Sequence, residues 1–309
     1  MMRTQGFCCA IVLMLFSTVV HAEQAGWTLL NKVQHAVKEY NFDASFVVLK
    51  GNQVDTYRWL HGKSEQQEIE HLIPLDTNGV DILRRNGSVY YLLSDRPAFV
   101  LAGHNIAELP AVLFEPRSKL EQLYNAVPGS SSVMSGRSAQ LLRLTAKLPS
   151  RYHYWLWLDD ETGFPLRIDT LSEQQAPLER WLITHMQLSP EFPENLQALL
   201  EADLPAPVAG EVKPMPVVKQ QLTWLPDAYQ IISQPASIPQ LESHLQSYWL
   251  LTDGLHQVSV FVQPSQGLPT QAYRDGATTI FVQSAAGLEV TVIGPISIDI
   301  ARQLAAGVK

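Results

Sequence analysis

Apolar positions early in the chain recur first at steps of three and four residues and then at every second residue. Trp27, Leu30, Val33, Ala36 or Val37 and Tyr40 form one stripe, which predicts an amphipathic helix over Ala25–Tyr40. Asn41 ends that period. Phe42, Ala44, Phe46 and Val48 then alternate with Asp43 and Ser45, the pattern of a strand with one buried face. Lys50-Gly51-Asn52-Gln53 reads as a turn and Val54–Leu60 as the returning strand. Further strand-like runs cover Val80–Leu83, Val89–Leu93 and Leu141–Lys147, with turns at Asn86-Gly87 and Pro97. Asn-Gly between apolar runs is a strong hairpin signal because both residues accept positive φ.

The clearest run is Arg151–Asp159, followed by Asp160-Glu161-Thr162-Gly163 and then Phe164–Leu171. Tyr152, Tyr154, Leu156 and Leu158 take one face, and His153, Trp155 and Trp157 the other. A strand apolar on both sides is central in a layered structure or lines a cavity. The acidic tetrad between two strands is expected to be a solvated turn rather than a metal loop. Trp181–Met186 adds another strand, so this part of the chain reads as an antiparallel meander, with helices expected only at Ala107–Tyr124 and Pro193–Ala202.

From Leu204 to Val217 the texture changes. Pro205, Pro207, Pro214 and Pro216, with Gly210 among them, predict an extended linker, since proline removes ladder donors and fixes φ. Beyond it, Thr223–Lys309 reads as a smaller unit with strands at Ser247–Leu251, Gln257–Val262, Thr278–Gln283 and Val290–Gly294. A closing helix is capped by Ser297, with Ile300, Leu304 and Val308 as its apolar face. The expected division is 1–22 as a leader, 23–203 as a first domain, 204–220 as linker and 221–309 as a second domain.

The leader changes the chemical picture. Arg3 precedes an apolar run, Ala10–Val20, interrupted only by Ser17 and Thr18, and Val20-His21-Ala22 is a small-residue cleavage site. That core is too short to span a bilayer, so it reads as a secretory signal peptide, and no later segment reaches the ~18 apolar residues of a membrane span. Both cysteines, Cys8 and Cys9, fall inside it. They precede its apolar core, which argues against a lipid anchor there. The exported chain would have no disulfide and would rest on its core alone, and a bacterial periplasm fits that composition. Of 22 basic and 30 acidic residues the leader removes only Arg3, so the charge passes from −8 to −9. Generic nucleic-acid binding needs a basic footprint, which this composition lacks.

Catalytic patterns are missing from the sequence. Gly136-Arg137-Ser138-Ala139-Gln140 fails the G-x-S-x-G pattern at its last position and reads as a polar loop. The eight histidines after the leader include no H-E-x-x-H, and His61 and His71, either side of a charged stretch, read as surface-loop residues. No Gly-rich phosphate loop, cofactor motif or metal set emerges. What stands out is binding surface. Arg137, Arg143, Lys147 and Arg151 carry four positive charges with no negative one between them, suited to phosphate groups or an acidic segment, or else spread over solvated strand faces. The aromatics Tyr90, Tyr91, Phe99, Tyr152, Tyr154, Trp155 and Trp157 either fill a core or line a cavity for acyl chains or apolar peptide. The candidate contact residues are therefore Arg137, Arg143, Lys147, Arg151, Tyr154, Trp155 and Trp157.

Several short motifs, in order, resemble one family. Arg151-Tyr152-His153-Tyr154, Trp157-Leu158-Asp159 and Pro165-Leu166-Arg167-Ile168-Asp169 are joined in the second unit by Thr223-Trp224-Leu225-Pro226, Asp253-Gly254-Leu255 and Val292-Ile293-Gly294 leading into Ile300-Ala301. Together they resemble the RseB/MucB family of periplasmic regulators of the sigma-E envelope stress response. The resemblance implies a mainly β fold: a half-open antiparallel β-barrel similar to the carriers LolA and LolB, with helices plugging its concave side, followed by a smaller α/β domain. It implies binding to the periplasmic region of the anti-sigma factor RseA (MucA), protection of that region from site-1 cleavage by DegS, release by lipopolysaccharide or another lipid-bearing species, and self-association as dimers or higher oligomers. It implies neither catalysis nor a cofactor. A lipid or lipoprotein carrier is the alternative expectation, to which the linker and second domain would be surplus.

Overall fold

The computed structural model describes residues 23–76, 79–93, 98–204, 220–232 and 245–309; the expected leader, the turn at Pro97 and the proline-rich stretch from Pro205 to Pro216 lie outside them. Helix α1 spans residues 23–39 and buries the expected stripe, Trp27, Leu30, Val33, Ala36 and Val37. Strand β1 (Asn41–Lys50) follows directly and turns Phe42, Ala44, Phe46 and Val48 into the same core, each at most 1% exposed. Near the helix end, the Asn41 side-chain oxygen accepts the backbone N–H of Lys63 at 2.7 Å.

β1 lies in the middle of an antiparallel sheet of eleven strands. The others are β2 (Gln53–Lys63), β3 (Glu68–Pro74), β4 (Asp81–Arg85), β5 (Ser88–Leu92), β6 (Phe99–Ala102), β7 (Tyr124–Met134), β8 (Arg137–Ala146), β9 (His153–Asp159), β10 (Pro165–Leu171) and β11 (Pro177–Ser189), in the order β6-β5-β4-β3-β2-β1-β11-β10-β9-β8-β7. Two meanders are joined where β1 pairs with β11. The end strands β6 and β7 do not pair with each other, so the sheet stays open, as the half-open barrel class requires. Its inner face packs on α1. Part of its outer face, over β2 to β5, is covered by helix α3 (Glu194–Glu201), whose Leu196 joins Leu60, Ile69, Leu83 and Tyr90. Arg85 caps that helix by donating to the carbonyls of Leu199, Leu200 and Ala202, groups a helix C-terminus leaves unpaired.

The turns form where the local signals place them. Asn86 and Gly87 both have positive φ (53° and 75°) between β4 and β5, as a tight hairpin demands. The acidic tetrad is a turn between β9 and β10. Other expectations are corrected. Ala107–Tyr124 is not one helix: Pro110 and Pro116 divide it into a 3-10 turn, Ala111–Leu113, and a short helix α2 (Arg117–Leu123), and Tyr124 already opens β7. Arg137–Gln140 is strand, the turn being confined to Ser135 and Gly136. His61 and His71 sit in β2 and β3, not in a surface loop, because the charged stretch between them is mostly ladder with only a short turn. His61 is 1% exposed, and its Nδ1 lies 2.7 Å from the Tyr40 carbonyl oxygen.

The second, smaller sheet holds β12 (Gln230–Ile232), β13 (Ser247–Thr252), β14 (Gln257–Pro264), β15 (Gln271–Asp275), β16 (Thr278–Ala285) and β17 (Leu288–Gly294), in the order β12-β13-β14-β17-β16-β15. Helix α4 (Ile298–Ala306) closes it, with the Ser297 hydroxyl accepting the Ile300 N–H. Its buried face is Ala301, Leu304 and Ala305. Val308 lies past the helix end and pairs with Leu222 instead.

Candidate ligand and partner site

The two sheets meet at the inner side of the large one, and the meeting point is built from two of the motifs quoted above. Arg151, in the loop before β9, donates from Nε to Asp253 Oδ2 at 2.7 Å and from Nη2 to the Asp253 carbonyl at 3.3 Å. The two side chains are 1% and 0% exposed. Asp253 opens a tight turn in which its Oδ1 accepts the backbone N–H groups of Leu255 and His256, at 2.8 and 2.7 Å. Gly254 supplies the φ of +91° that the turn needs. Burial opposes charge on Asp253, but the His256 ring, 3.9 Å away, and hydrogen bonds from these two amides outweigh it and hold the carboxyl well below the usual carboxylate range. Three residues after Arg151, Tyr154 places its hydroxyl 2.8 Å from His256 Nε2. A second bridge lies apart from this one in sequence: Lys50, at the end of β1, is 3.7 Å from Asp275 and 3.4 Å from Asp55. Burial works against the Lys50 charge, yet Asp275, Glu179 and Asp55 together raise its pKa.

Between these bridges lies a hollow of about 670 Å³, walled by both domains. The large sheet contributes inner-face residues such as Val48, Tyr57, Leu72, Tyr154 and Trp181. The segment 104–111 and Phe114 form a rim, and Leu255, His256, Thr278 and Pro295 close it from the second domain. This size is in the range of small-molecule and peptide-segment sites, ~300–1,000 Å³.

The candidate residues disperse around this frame. Strand alternation sends Tyr154 to the inner face, where it lines the hollow, and sends Trp155 and Trp157 to the outer face. There the two indoles meet edge to face at 6.1 Å, and the Arg167 guanidinium covers Trp157 at 4.2 Å. Of the other aromatics proposed for a cavity, Tyr90 packs under α3, and Tyr91 stacks on Phe99 at 4.5 Å. Burial lifts the Tyr152 hydroxyl to about 12.

The four cations part company as well. Arg137 forks onto Asp159 at 2.7 and 3.0 Å, Lys147 donates to the Glu121 carbonyl at 2.5 Å, and Arg151 is buried against Asp253. Arg143 alone among them makes no hydrogen bond or ion pair with the described residues, and its Nε is buried without a partner. In register it stands beside Trp155, which in turn stands beside Asp169, a carboxylate forked by both Arg167 and Arg180. On the outer face of β8 to β11, Arg167 and Arg180 therefore share Asp169, Arg137 pairs with Asp159, and Arg143 stands beyond Trp155, two strands from the Asp169 carboxylate. Lys50, Glu108, Glu179 and His256, which shape the hollow, carry no signal in the sequence. They come from separate elements and meet only through the topology. Among the described residues there is no cluster of three or more His, Cys, Asp or Glu able to hold a metal ion.

Comparison with known proteins places this architecture. A family model described as the MucB/RseB N-terminal domain matches residues 26–206, and one described as the MucB/RseB C-terminal domain matches residues 216–309. The chain belongs to the MucB/RseB family. Among curated relatives, the sigma-E factor regulatory protein RseB of Escherichia coli (strain K12) is 24% identical over 299 residues, covering 96% of this chain and 94% of that one. RseB of Haemophilus influenzae is 28% identical over 302 residues, covering 96% and 95%, and the sigma factor AlgU regulatory protein MucB of Pseudomonas aeruginosa is 26% identical over 296 residues, covering 93% and 91%. The fold is that of MucB: the solved complex of Pseudomonas aeruginosa MucA/MucB superposes with a TM-score of 0.66 at 23% identity, over 92% of this chain and 98% of that one. No helix among the described residues is long and apolar enough to cross a membrane.

Proposed function

We propose that this MucB/RseB-family chain is a periplasmic, non-catalytic negative regulator of a sigma-E-type envelope stress response. In this reading it binds the periplasmic region of an anti-sigma factor of the RseA/MucA type, keeps that region from site-1 proteolysis, and lets it go when lipopolysaccharide or another lipid binds. The family match over both domains carries the reading, and the hollow walled by both domains gives it a physical seat. A disordered partner segment must offset an ordering cost of roughly 2–5 kcal/mol on docking. A lipid displaces it only by favouring the partner-free arrangement, and at roughly 0.8 kcal/mol per buried CH₂ a few acyl carbons supply that bias. For the anionic end of such a ligand, Arg143 is the cation of the basic segment left without an intramolecular partner. Self-association as a dimer or higher oligomer belongs to the same reading.

The test is a cleavage assay with the exported form of the chain, an anti-sigma periplasmic fragment and its site-1 protease. Slowed cleavage, restored by added lipopolysaccharide, is the expected result. Unchanged cleavage together with extraction of lipoprotein from membranes would replace the regulator by a carrier.

A further inference from the structure

The polar lining of the hollow has a sign. Three carboxylates, Glu108, Glu115 and Glu179, face it, against the single lysine Lys50, which Asp55 and Asp275 already share. The remaining titratable groups are His104, His256 and the phenols of Tyr57 and Tyr154. Glu115 is neutralised by Lys119 at 2.7 Å, and Glu179 accepts the indole N–H of Trp181 at 2.5 Å. Glu108 has less. Among the described residues its one side-chain partner is the Tyr91 hydroxyl, at 3.5 Å, the outer limit of a hydrogen bond. Glu108 is exposed and lines the hollow, and partial desolvation by the wall around it raises its carboxyl above the usual range. A carboxylate in this setting gains from a cation and is penalised by an anion. Around it, Leu72, Phe114, Trp181 and Leu255 offer apolar surface.

We infer that the hollow is a site for an apolar polypeptide segment carrying a lysine or arginine, with Glu108 receiving that cation. The inference deepens the reading that the hollow holds the partner chain, and it states what such a segment must carry. It also separates two ligands in space. A phosphate headgroup in the hollow would meet three carboxylates, whereas the outer face of β8 to β11 presents Arg143, which has no partner among the described residues.

The experiment uses the exported chain and two short, labelled Leu/Ala peptides, identical except for one central Lys or Glu, with binding followed by fluorescence anisotropy. The Lys peptide is expected to bind at least about tenfold more tightly than the Glu peptide, and Glu108→Gln to remove most of that preference. Glu108→Lys should reverse it, a gain that a misfolded variant could not produce. Equal affinity for the two peptides, or a preference untouched by Glu108→Gln, overturns the inference. So does monomeric lysophosphatidylglycerol displacing the Lys peptide from wild type with an affinity that Glu108→Gln does not change, since the hollow would then be a lipid site blind to charge. The anti-sigma cleavage assay on the same preparation keeps the two ideas apart. Protection with charge-blind peptide binding removes this inference alone, and absence of protection removes the regulator reading.

Discussion

Arg151 and Asp253 form an ion pair across the junction of the two domains, 2.7 Å from Nε to Oδ2, with essentially no exposure on either side chain. A buried pair of this kind contributes little net stability against a hydrophobic replacement, but losing one member is costly. Arg151→Met strands the Asp253 carboxylate and is expected to destabilise the docked arrangement by ~3–5 kcal/mol. The double variant Arg151→Met/Asp253→Leu should recover most of that loss. Small-angle scattering and urea titration of the three proteins check it. A double variant as damaged as the single one contradicts the assignment.

The same junction sets an acid limit. Asp253 has a folded-state pKa below its unfolded value, so its contribution is fully present above about pH 4 and is lost as pH falls below that towards the folded value. Arg151, His256, Tyr154 and Tyr229 surround it, and the two phenols are themselves pushed upward by burial, away from this window. Domain docking should therefore loosen as the pH falls below about 4. Inter-domain energy transfer between labels on the two sheets measures this, and Asp253→Asn should abolish the acid transition.

Gly26 offers a test in which two principles predict opposite signs. Within α1, Gly→Ala normally stabilises by ~0.5–1 kcal/mol. Here a Cβ would sit 2.2 Å from the carbonyl oxygen of Ala126 in β7, where only backbone can give way. Overpacking should win, and Gly26→Ala is expected to lower stability by ~1–3 kcal/mol, read from the denaturant midpoint.

Arg143 separates ligand binding from folding. Having no partner among the described residues, Arg143→Glu is expected to leave the unfolding midpoint within ~0.5 kcal/mol of wild type. Binding to vesicles containing lipopolysaccharide should fall about tenfold at low salt, with affinity for the anti-sigma fragment retained. Unaltered vesicle binding would take Arg143 out of the ligand site.

How much of this was legible depends on how local each signal is. The stripe of α1, the alternation of β1, the Asn86-Gly87 hairpin and the Ser297 cap are decided within a few residues, and all are present. β7 escaped because Pro128, Gly129 and three serines give it little strand propensity; it is held by pairing with β8. The basic segment misled for a related reason. Four cations within fifteen residues look like a patch on paper, but the fold sends Arg137, Lys147 and Arg151 to three different partners and leaves Arg143 with none among the described residues. The hollow was out of reach altogether. Lys50, Glu108 and His256 are brought together by the β1–β11 pairing and by the docking of a second sheet, neither of which any short stretch encodes.

The open sheet ends in two margins, and the way they end has a consequence for the crowded compartment in which such a chain would work. β6 is four residues long. β7 carries Pro128, which has no amide to offer, next to a register shift that opens the ladder between Pro128 and Ser131. Neither margin gives a foreign strand a long, regular row of donors and acceptors to copy. A barrel can stay unclosed, keeping its interior reachable for a regulatory ligand, without becoming a seed for fibrils.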